Sequence, residues 1–439
     1  MNLTKVSDML TGKNVWNVYC EYKDSQWFST RDLDSIKLEK LKSLVKFVYR
    51  NVPFYTDYMN GQGIVPSDIS KLEDIQLFPV LTKEVIKTNY ENFTPINLHA
   101  IKWVKTSQTG GTTGNILLKR NDASSRSAVW GAFKRFEDWM GYRSGDKALI
   151  LMGGHVIHNK GWRSFKLQLV TDVANAMTKQ IRFNPYNTDP KVIENIITTL
   201  KSNDIKLIRS YSQYLFHLCH VLAERQLEFR VKSVTTTAEP LMQVHRDRFK
   251  DVLGAESYDQ YGCGEIGGIA FECEKHEGLH VTEEHVIVEV NDNSELIVTD
   301  LDNYAMPFIR YWNADQAVVS SKKCSCGREH QLIDRILGRT CDYVTGSNGS
   351  FLHWAYFWHL VFDSGVAQRR NLQKFQIVQR SSNQLLFRYV AEELSVQEQD
   401  TFKDNIQSRL GDMVIDFVRE SDIENSPSGK YRPVINETL

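Results

Sequence analysis

Thr106-Ser107-Gln108-Thr109-Gly110-Gly111-Thr112-Thr113-Gly114-Asn115 packs three glycines and four threonines into ten residues, a composition with little to place in a core and much to offer a phosphate. Glycines let successive backbone N–H groups turn toward one anion, and hydroxyls add neutral donors that follow its oxygens. No Gly-Lys-Ser/Thr ends the run, which argues against the P-loop of GTPases and ATPases. A surface turn rich in Thr and Gly is the alternative for such a run standing alone.

The residues that follow this loop set the fold class. Asp122 to Met140 has helical spacing, with Val129, Phe133 and Phe136 on one side, and Lys147-Ala148-Leu149-Ile150-Leu151-Met152 reads as a buried strand. The alternation continues with a helix over 192–200, a strand over 205–208, a helix over 215–225 and a strand over 233–237, predicting an α/β sheet covered by helices. From Val286 to Val319 the pattern changes to short antiparallel strands. Upstream, residues 33 to 60 carry helical signals, and a second helix-like stretch precedes Phe78-Pro79-Val80-Leu81-Thr82-Lys83-Glu84. That phrase and Asn51-Val52-Pro53-Phe54-Tyr55 read as docking turns. Beyond about Gly338 a smaller α+β segment follows, so domains are expected over 1–337 and 338–439 with a hinge near 338–342.

Length and charge narrow the partners. A chain of 439 residues exceeds one ordinary domain. Its 53 basic and 54 acidic side chains leave a formal net charge of −1, so no global field points to nucleic acid or an anionic membrane. No apolar run approaches the length that spans a bilayer, and the N-terminus lacks an apolar leader, so a cytoplasmic location and a small-molecule partner are expected. Seven cysteines in such a chain direct attention to metals and away from disulfides.

Four further clusters carry chemistry. In Tyr258-Asp259-Gln260-Tyr261-Gly262-Cys263-Gly264-Glu265-Ile266-Gly267-Gly268, Tyr261 is suited to stacking on a purine and Glu265 to holding a hard cation such as Mg²⁺. In Met306-Pro307-Phe308-Ile309-Arg310-Tyr311-Trp312-Asn313-Ala314-Asp315, the aspartate suits two ribose hydroxyls, while Arg310 reads as a brace for the strand. Arg335 to Asp342 covers the expected hinge, and Pro427-Ser428-Gly429-Lys430 places a lysine on the tail. Separately, Cys273, Cys324 and Cys326 with His276 or His280 supply three thiolates and one imidazole, the donor set of a closed structural Zn²⁺ site.

In their order along the chain these motifs resemble the phenylacetate-CoA ligase family of adenylate-forming enzymes, in particular the branch that includes CapK-type proteins of capsular-polysaccharide clusters. The resemblance spans nearly the whole length and also takes in Ala238-Glu239-Pro240-Leu241 and Gly338-Arg339-Thr340-Cys341-Asp342. It implies the adenylate-forming fold: a large N-terminal α/β domain with a β subdomain, and a small mobile α+β C-terminal domain. It implies that ATP activates a carboxylic acid as an acyl-adenylate, which then passes to coenzyme A. An amine acceptor is the alternative, and a non-catalytic nucleotide-binding protein a third reading.

Carried onto this sequence, Ser107, Thr109, Gly110, Gly111, Thr112, Thr113 and Gly114 would cradle phosphates. Glu239, Tyr261 and Gly262 would line the adenine and acyl pocket, Glu265 would hold Mg²⁺, and Asp315 would bind ribose. Arg339 would sit at the hinge, and Lys430 would promote adenylation, with Glu265 and Thr109 as its catalytic companions. Among the zinc donors the resemblance favours Cys273, His280, Cys324 and Cys326, with His276 in reserve; family members that pair as dimers make a homodimer an expectation as well. The chain departs from the family pattern Arg-Tyr-Arg-Thr-Gly-Asp, reading Arg310-Tyr311-Trp312-Asn313-Ala314-Asp315, and Gln108 and Cys263 are further departures that make the acid pocket unusual.

Overall fold

The computed structural model describes residues 3–108, 117–143, 145–152, 179–184, 190–339, 343–348, 350–353, 357, 360–361, 370, 372–424 and 433–438. Two compact units divide mainly between Ile336 and Leu337, the second also taking in Ala314–Gln316.

The first unit opens with helices α1 (Leu3–Thr11), α2 (Val15–Ser25), α3 (Thr30–Asn51), α4 (Pro53–Gln62) and α5 (Lys83–Thr88). Ser29 caps α3 by accepting from the Asp32 N–H, and Pro53 opens α4 at the position where a missing N–H costs nothing. The helix-like stretch before Phe78 forms a 3-10 helix, Leu72–Leu77, because the Asp74 carboxylate draws in the N–H groups of Ser70 and Lys71 and closes the turn early. Strands β1 (Lys105–Gln108) and β2 (Leu118–Asn121) pair antiparallel on either side of the threonine–glycine loop.

Next come α6 (Ala123–Trp139), β3 (Lys147–Leu151), β4 (Gln180–Phe183), α7 (Pro190–Ser202), β5 (Ile205–Ser210), α8 (Ser212–Glu224), β6 (Ser233–Thr236), α9 (Gln243–Leu253) and β7 (Glu256–Tyr258). The five strands form a parallel sheet in the order β4-β3-β5-β6-β7. Helical and strand periods in the sequence anticipate α6, β3, α7, β5, α8 and β6 to within a few residues, but not β4 or α9. Alternate strand residues face opposite sides. Leu149, Ile208 and Val234 pack with Ile196, Leu215, Leu218 and Phe249 of α7, α8 and α9, while Ala148, Ile150 and Leu207 pack with Tyr22, Ala132 and Phe136 of α2 and α6. The sheet is covered on both faces, as parallel sheets must be.

The chain then builds β8 (Gln260–Tyr261), β9 (Ala270–Glu272), β10 (Leu279–Val281), β11 (Val286–Val290), β12 (Glu295–Asp300), β13 (Tyr311–Val319) and β14 (Leu332–Arg339). These form one sheet in the order β11-β12-β13-β14-β10-β9-β8. Its apolar side joins Leu41, Val48, Tyr55 and Phe93 to Val298, Phe308 and Ile333 in the largest buried cluster.

The second unit holds the hairpin β15 (Tyr343–Thr345) and β16 (Phe351–His353), then β17 (Lys374–Ser381), β18 (Gln384–Val390), α10 (Val396–Leu410), β19 (Val414–Arg419) and β20 (Val434–Asn436). Its main sheet runs β19-β18-β17-β20. A Phe375, Phe387, Phe402 and Phe417 cluster locks α10 onto it, with ring centroids 5.2 to 6.2 Å apart. No helix among the described residues is long and apolar enough to cross a membrane.

Candidate active site and metal centre

The strand leaving the threonine–glycine loop is anchored by a clamp of buried carboxylates. Asp122 accepts from the Ser125 N–H at 2.9 Å, capping α6, and from the Tyr304 N–H at 2.8 Å. The Asn303 amide donates to the Arg120 carbonyl at 3.0 Å. Asp302 takes Lys40 at 2.8 Å and His285 at 2.9 Å, and the Asp300 and Asp302 carboxylates raise the buried His285 imidazole against the cost of its burial. Strand β2 therefore leaves the loop along a fixed path. Ser107 lies on β1 opposite Lys119. Thr109, Gly110, Gly111, Thr112, Thr113, Gly114 and Lys430 lie outside the described residues, as do the side chains of Gln108 and Arg339.

Glu265 is buried, and Lys83 Nζ lies 3.3 Å from its carboxylate. Lys119 donates to the Glu265 carbonyl at 3.2 Å, and burial holds its ammonium below the ordinary range against the pull of Cys263 and Glu265. The turn around Glu265 closes on itself: the Cys263 N–H donates to the Ile266 carbonyl at 2.9 Å, and the Ile269 N–H to the Tyr261 carbonyl at 3.1 Å. The Asn313 amide donates to the Tyr261 hydroxyl at 2.6 Å, fixing the ring, while Gly262 is exposed beside it. The Glu239 carboxylate accepts from the Gln213 N–H at 2.9 Å at the start of α8, a negative charge at the positive end of a helix.

Three motif residues without the freedom of glycine hold left-handed backbone: Ala238 (φ 67°), Arg310 (φ 54°) and Ala314 (φ 61°). Backbone strain of this kind concentrates at functional sites. Arg310 braces the strand, reaching the Phe78 carbonyl at 2.9 Å and the Glu289 carboxylate at 3.1 Å. Asp315 is nine-tenths buried on β13. Sequence reading missed Lys83, Lys119 and Asn313. Lys83 stands in the quoted Pro79-to-Glu84 phrase, and its position follows from Leu81, which exchanges backbone hydrogen bonds with Arg310 and Trp312 at 2.9 Å each.

A second centre lies at the junction of β9, β10 and the loop before β14. Among the described residues Cys273, His280, Cys324 and Cys326 form one group whose donor atoms all lie within 4.8 Å of one another. The Cys273 and Cys324 sulfurs are 3.6 Å apart, and Cys326 Sγ is 3.5 Å from His280 Nε2. Tetrahedral zinc with Zn–S bonds of about 2.3 Å requires donor separations of about 3.8 Å, so the set fits. His276 points elsewhere, 3.3 Å from Glu272. Burial, with His330, Arg328 and Arg135 nearby, lowers the His280 imidazole to about 3, leaving it neutral. Burial pushes the Cys324 thiol up to about 11 and the Cys273 thiol up as well. The Lys275 and Arg328 N–H groups donate to Cys273 and Cys326 sulfur at 3.4 Å. Gly278 (φ 128°) is required here, since a Cβ would lie 2.7 Å from the Ile333 carbonyl.

Comparison with known proteins gives consistent matches. Residues 347–437 match the CapK C-terminal domain. Over 339 residues the chain is 28% identical to the phenylacetate-coenzyme A ligase of Thermus thermophilus, covering 71% of each, and over 344 residues 26% identical to the one from Escherichia coli, covering 72% and 73%. A solved structure of 2-hydroxyisobutyryl-CoA ligase, in the postadenylation state with 2-HIB-AMP, superposes with a TM-score of 0.74 at 20% identity, over 94% of this chain and 92% of that one.

Proposed function

We propose that this chain, which is similar to phenylacetate-coenzyme A ligases over about seven-tenths of its length, activates a carboxylic acid with ATP and transfers the acyl group to coenzyme A. A carboxylate oxygen attacks the α-phosphorus, the bond to pyrophosphate breaks, and the acyl-adenylate forms; the thiolate of coenzyme A then attacks the acyl carbon and AMP departs. A carboxylate is a poor electrophile, so exchanging its oxygen for AMP supplies the leaving group, and positioning and electrostatics carry the rate. The observation that carries this reading is the turn at Glu265, where a buried carboxylate, two lysines and a hydrogen-bonded tyrosine ring converge.

In this reading the loop from Ser107 through Thr109, Gly110, Gly111, Thr112, Thr113 and Gly114 cradles the phosphates. Tyr261, Gly262 and Glu239 line the nucleotide and acid pocket, Asp315 holds ribose, and Arg339 sits at the hinge between domains 1–337 and 338–439. Glu265 is the residue to hold Mg²⁺, which would neutralise phosphate charge when bound; its contact with Lys83 then gives way or is shared. Lys430 promotes adenylation, so Lys430→Ala is expected to slow adenylate formation at least about a hundredfold while ATP binding, followed by calorimetry, changes little. An unchanged rate removes that role. Cys273, His280, Cys324 and Cys326 hold a structural zinc, with no coordination position left for substrate. The protein acts in the cytoplasm, as a monomer or a homodimer.

The direct test is pyrophosphate release from Mg-ATP across aryl, short-chain and amino acids, with and without coenzyme A. Acid-dependent release is expected, with AMP appearing when coenzyme A is added. The sequence resemblance also implies a second reading, transfer to an amine in capsular-polysaccharide assembly; AMP release stimulated by amino sugars and not by coenzyme A would establish it. ATP binding without release for any acid would favour a non-catalytic protein.

A further inference from the structure

At the amino-terminal edge of the parallel sheet, on the end opposite Glu239, the turn before β3, the start of β5 and the turn before β6 border an open groove of about 500 Å³. Four cations line it, Arg143, Lys206, Arg230 and Lys232, against one acid, Asp146. β5 runs from Ile205 to Ser210, so the groove is roughly 16 Å from the carboxyl edge at a rise of about 3.3 Å per residue. Nothing in the proposed chemistry uses it.

Three of the four cations are not the paired surface ions that lysines and arginines usually make. Lys206 is matched by Asp204 at 2.7 Å. Asp146 accepts the Arg143 backbone N–H at 3.0 Å, but neither the Arg143 nor the Arg230 guanidinium has a hydrogen-bond or ion-pair partner among the described residues. Lys232 is held by a neutral group: its ammonium donates to the Gly141 carbonyl at 2.6 Å. Gly141 (φ 65°) makes that approach possible, since a Cβ there would lie 2.5 Å from Lys232 Nζ. Arg230 packs against Gly254, with Nη1 3.0 Å from where a Cβ would stand. One cation is thus held by backbone and a second packs beside it, both lining one concavity in a protein whose net charge is −1.

We propose that this groove is a second anion site, taking a small molecule with at least two phosphate charges. Three cations without carboxylate partners raise the local potential, and guanidinium forks match phosphate oxygens two at a time. The groove has room for a small molecule on its open face. The cations converge on one groove instead of forming a stripe, which argues against a polymer.

Inorganic tripolyphosphate is the probe, titrated calorimetrically into the full chain without added Mg²⁺ at low salt, against the double variant Arg143→Gln/Arg230→Gln. The wild-type chain is expected to bind it at least about tenfold more tightly than the variant, with binding weakened by added salt and melting temperature unchanged. Equal affinity in both proteins, or no binding by the wild type, overturns the proposal. Tighter capture of a poly-glutamate peptide than of tripolyphosphate overturns the small-ligand assignment.

Discussion

Ala314 stands where the family pattern has glycine, yet its backbone remains at φ 61°. A side chain in this region costs about 1–2 kcal/mol, partly offset because glycine loses more freedom on folding. Ala314→Gly is therefore expected to stabilise the chain by about 0.5–1 kcal/mol, read from the urea midpoint; no gain would mean that the local backbone has relaxed around the methyl group. The neighbouring replacement has a visible use, since Asn313 hydrogen-bonds Tyr261. Such pairings, like Lys83 with Glu265, join residues far apart in sequence and leave no period or spacing to read. The motifs themselves were legible because their residue types serve backbone geometry or anion binding locally. Their mutual contacts were not.

Among the elements, those with long regular patterns were readable: α6 and strands β3, β5 and β6 follow from helical spacing or apolar runs. Leu72–Leu77 was not, because a six-residue stretch has too few turns for a period to distinguish α from 3-10. The four metal donors were readable as residue types, whereas the choice between His276 and His280 depended on how β9 and β10 pair. His280 lies opposite Phe271 in that hairpin, which carries it toward Cys326, and His276 sits in the turn beside Glu272. Purified protein is expected to contain about one zinc per chain, measured by mass spectrometry. Cys324→Ser should lose the metal, and chelation of the wild type should lower its melting temperature by at least about 5 °C. Metal-free wild-type protein with an undiminished melting temperature would remove the assignment.

Over the whole molecule, buried charge sets how stability responds to pH. Burial, together with the Glu272 carboxylate, pushes the Asp259 carboxyl up to about 7, against the opposing pull of Arg246. Its ordinary value is 3.8, so between these values the folded chain holds a proton that the unfolded chain has released. This contribution is complete below the ordinary value and is lost as pH rises through about 7. Urea midpoints should fall between pH 5 and pH 8 from this group, and Asp259→Asn should flatten that part of the profile. An identical slope in the variant would assign the pH dependence to other groups.

Leu81 is hydrogen-bonded on both sides by Arg310 and Trp312, and the helices before it share their core with β11 to β14. During synthesis these partners emerge more than two hundred residues later, roughly 10–50 s at ribosomal speeds. For that interval the apolar faces of α3 and α4 have no native surface to cover them. The nascent chain must therefore be sheltered by a chaperone or wait in a loosely collapsed state, and conditions that slow elongation will lengthen its exposure to aggregation.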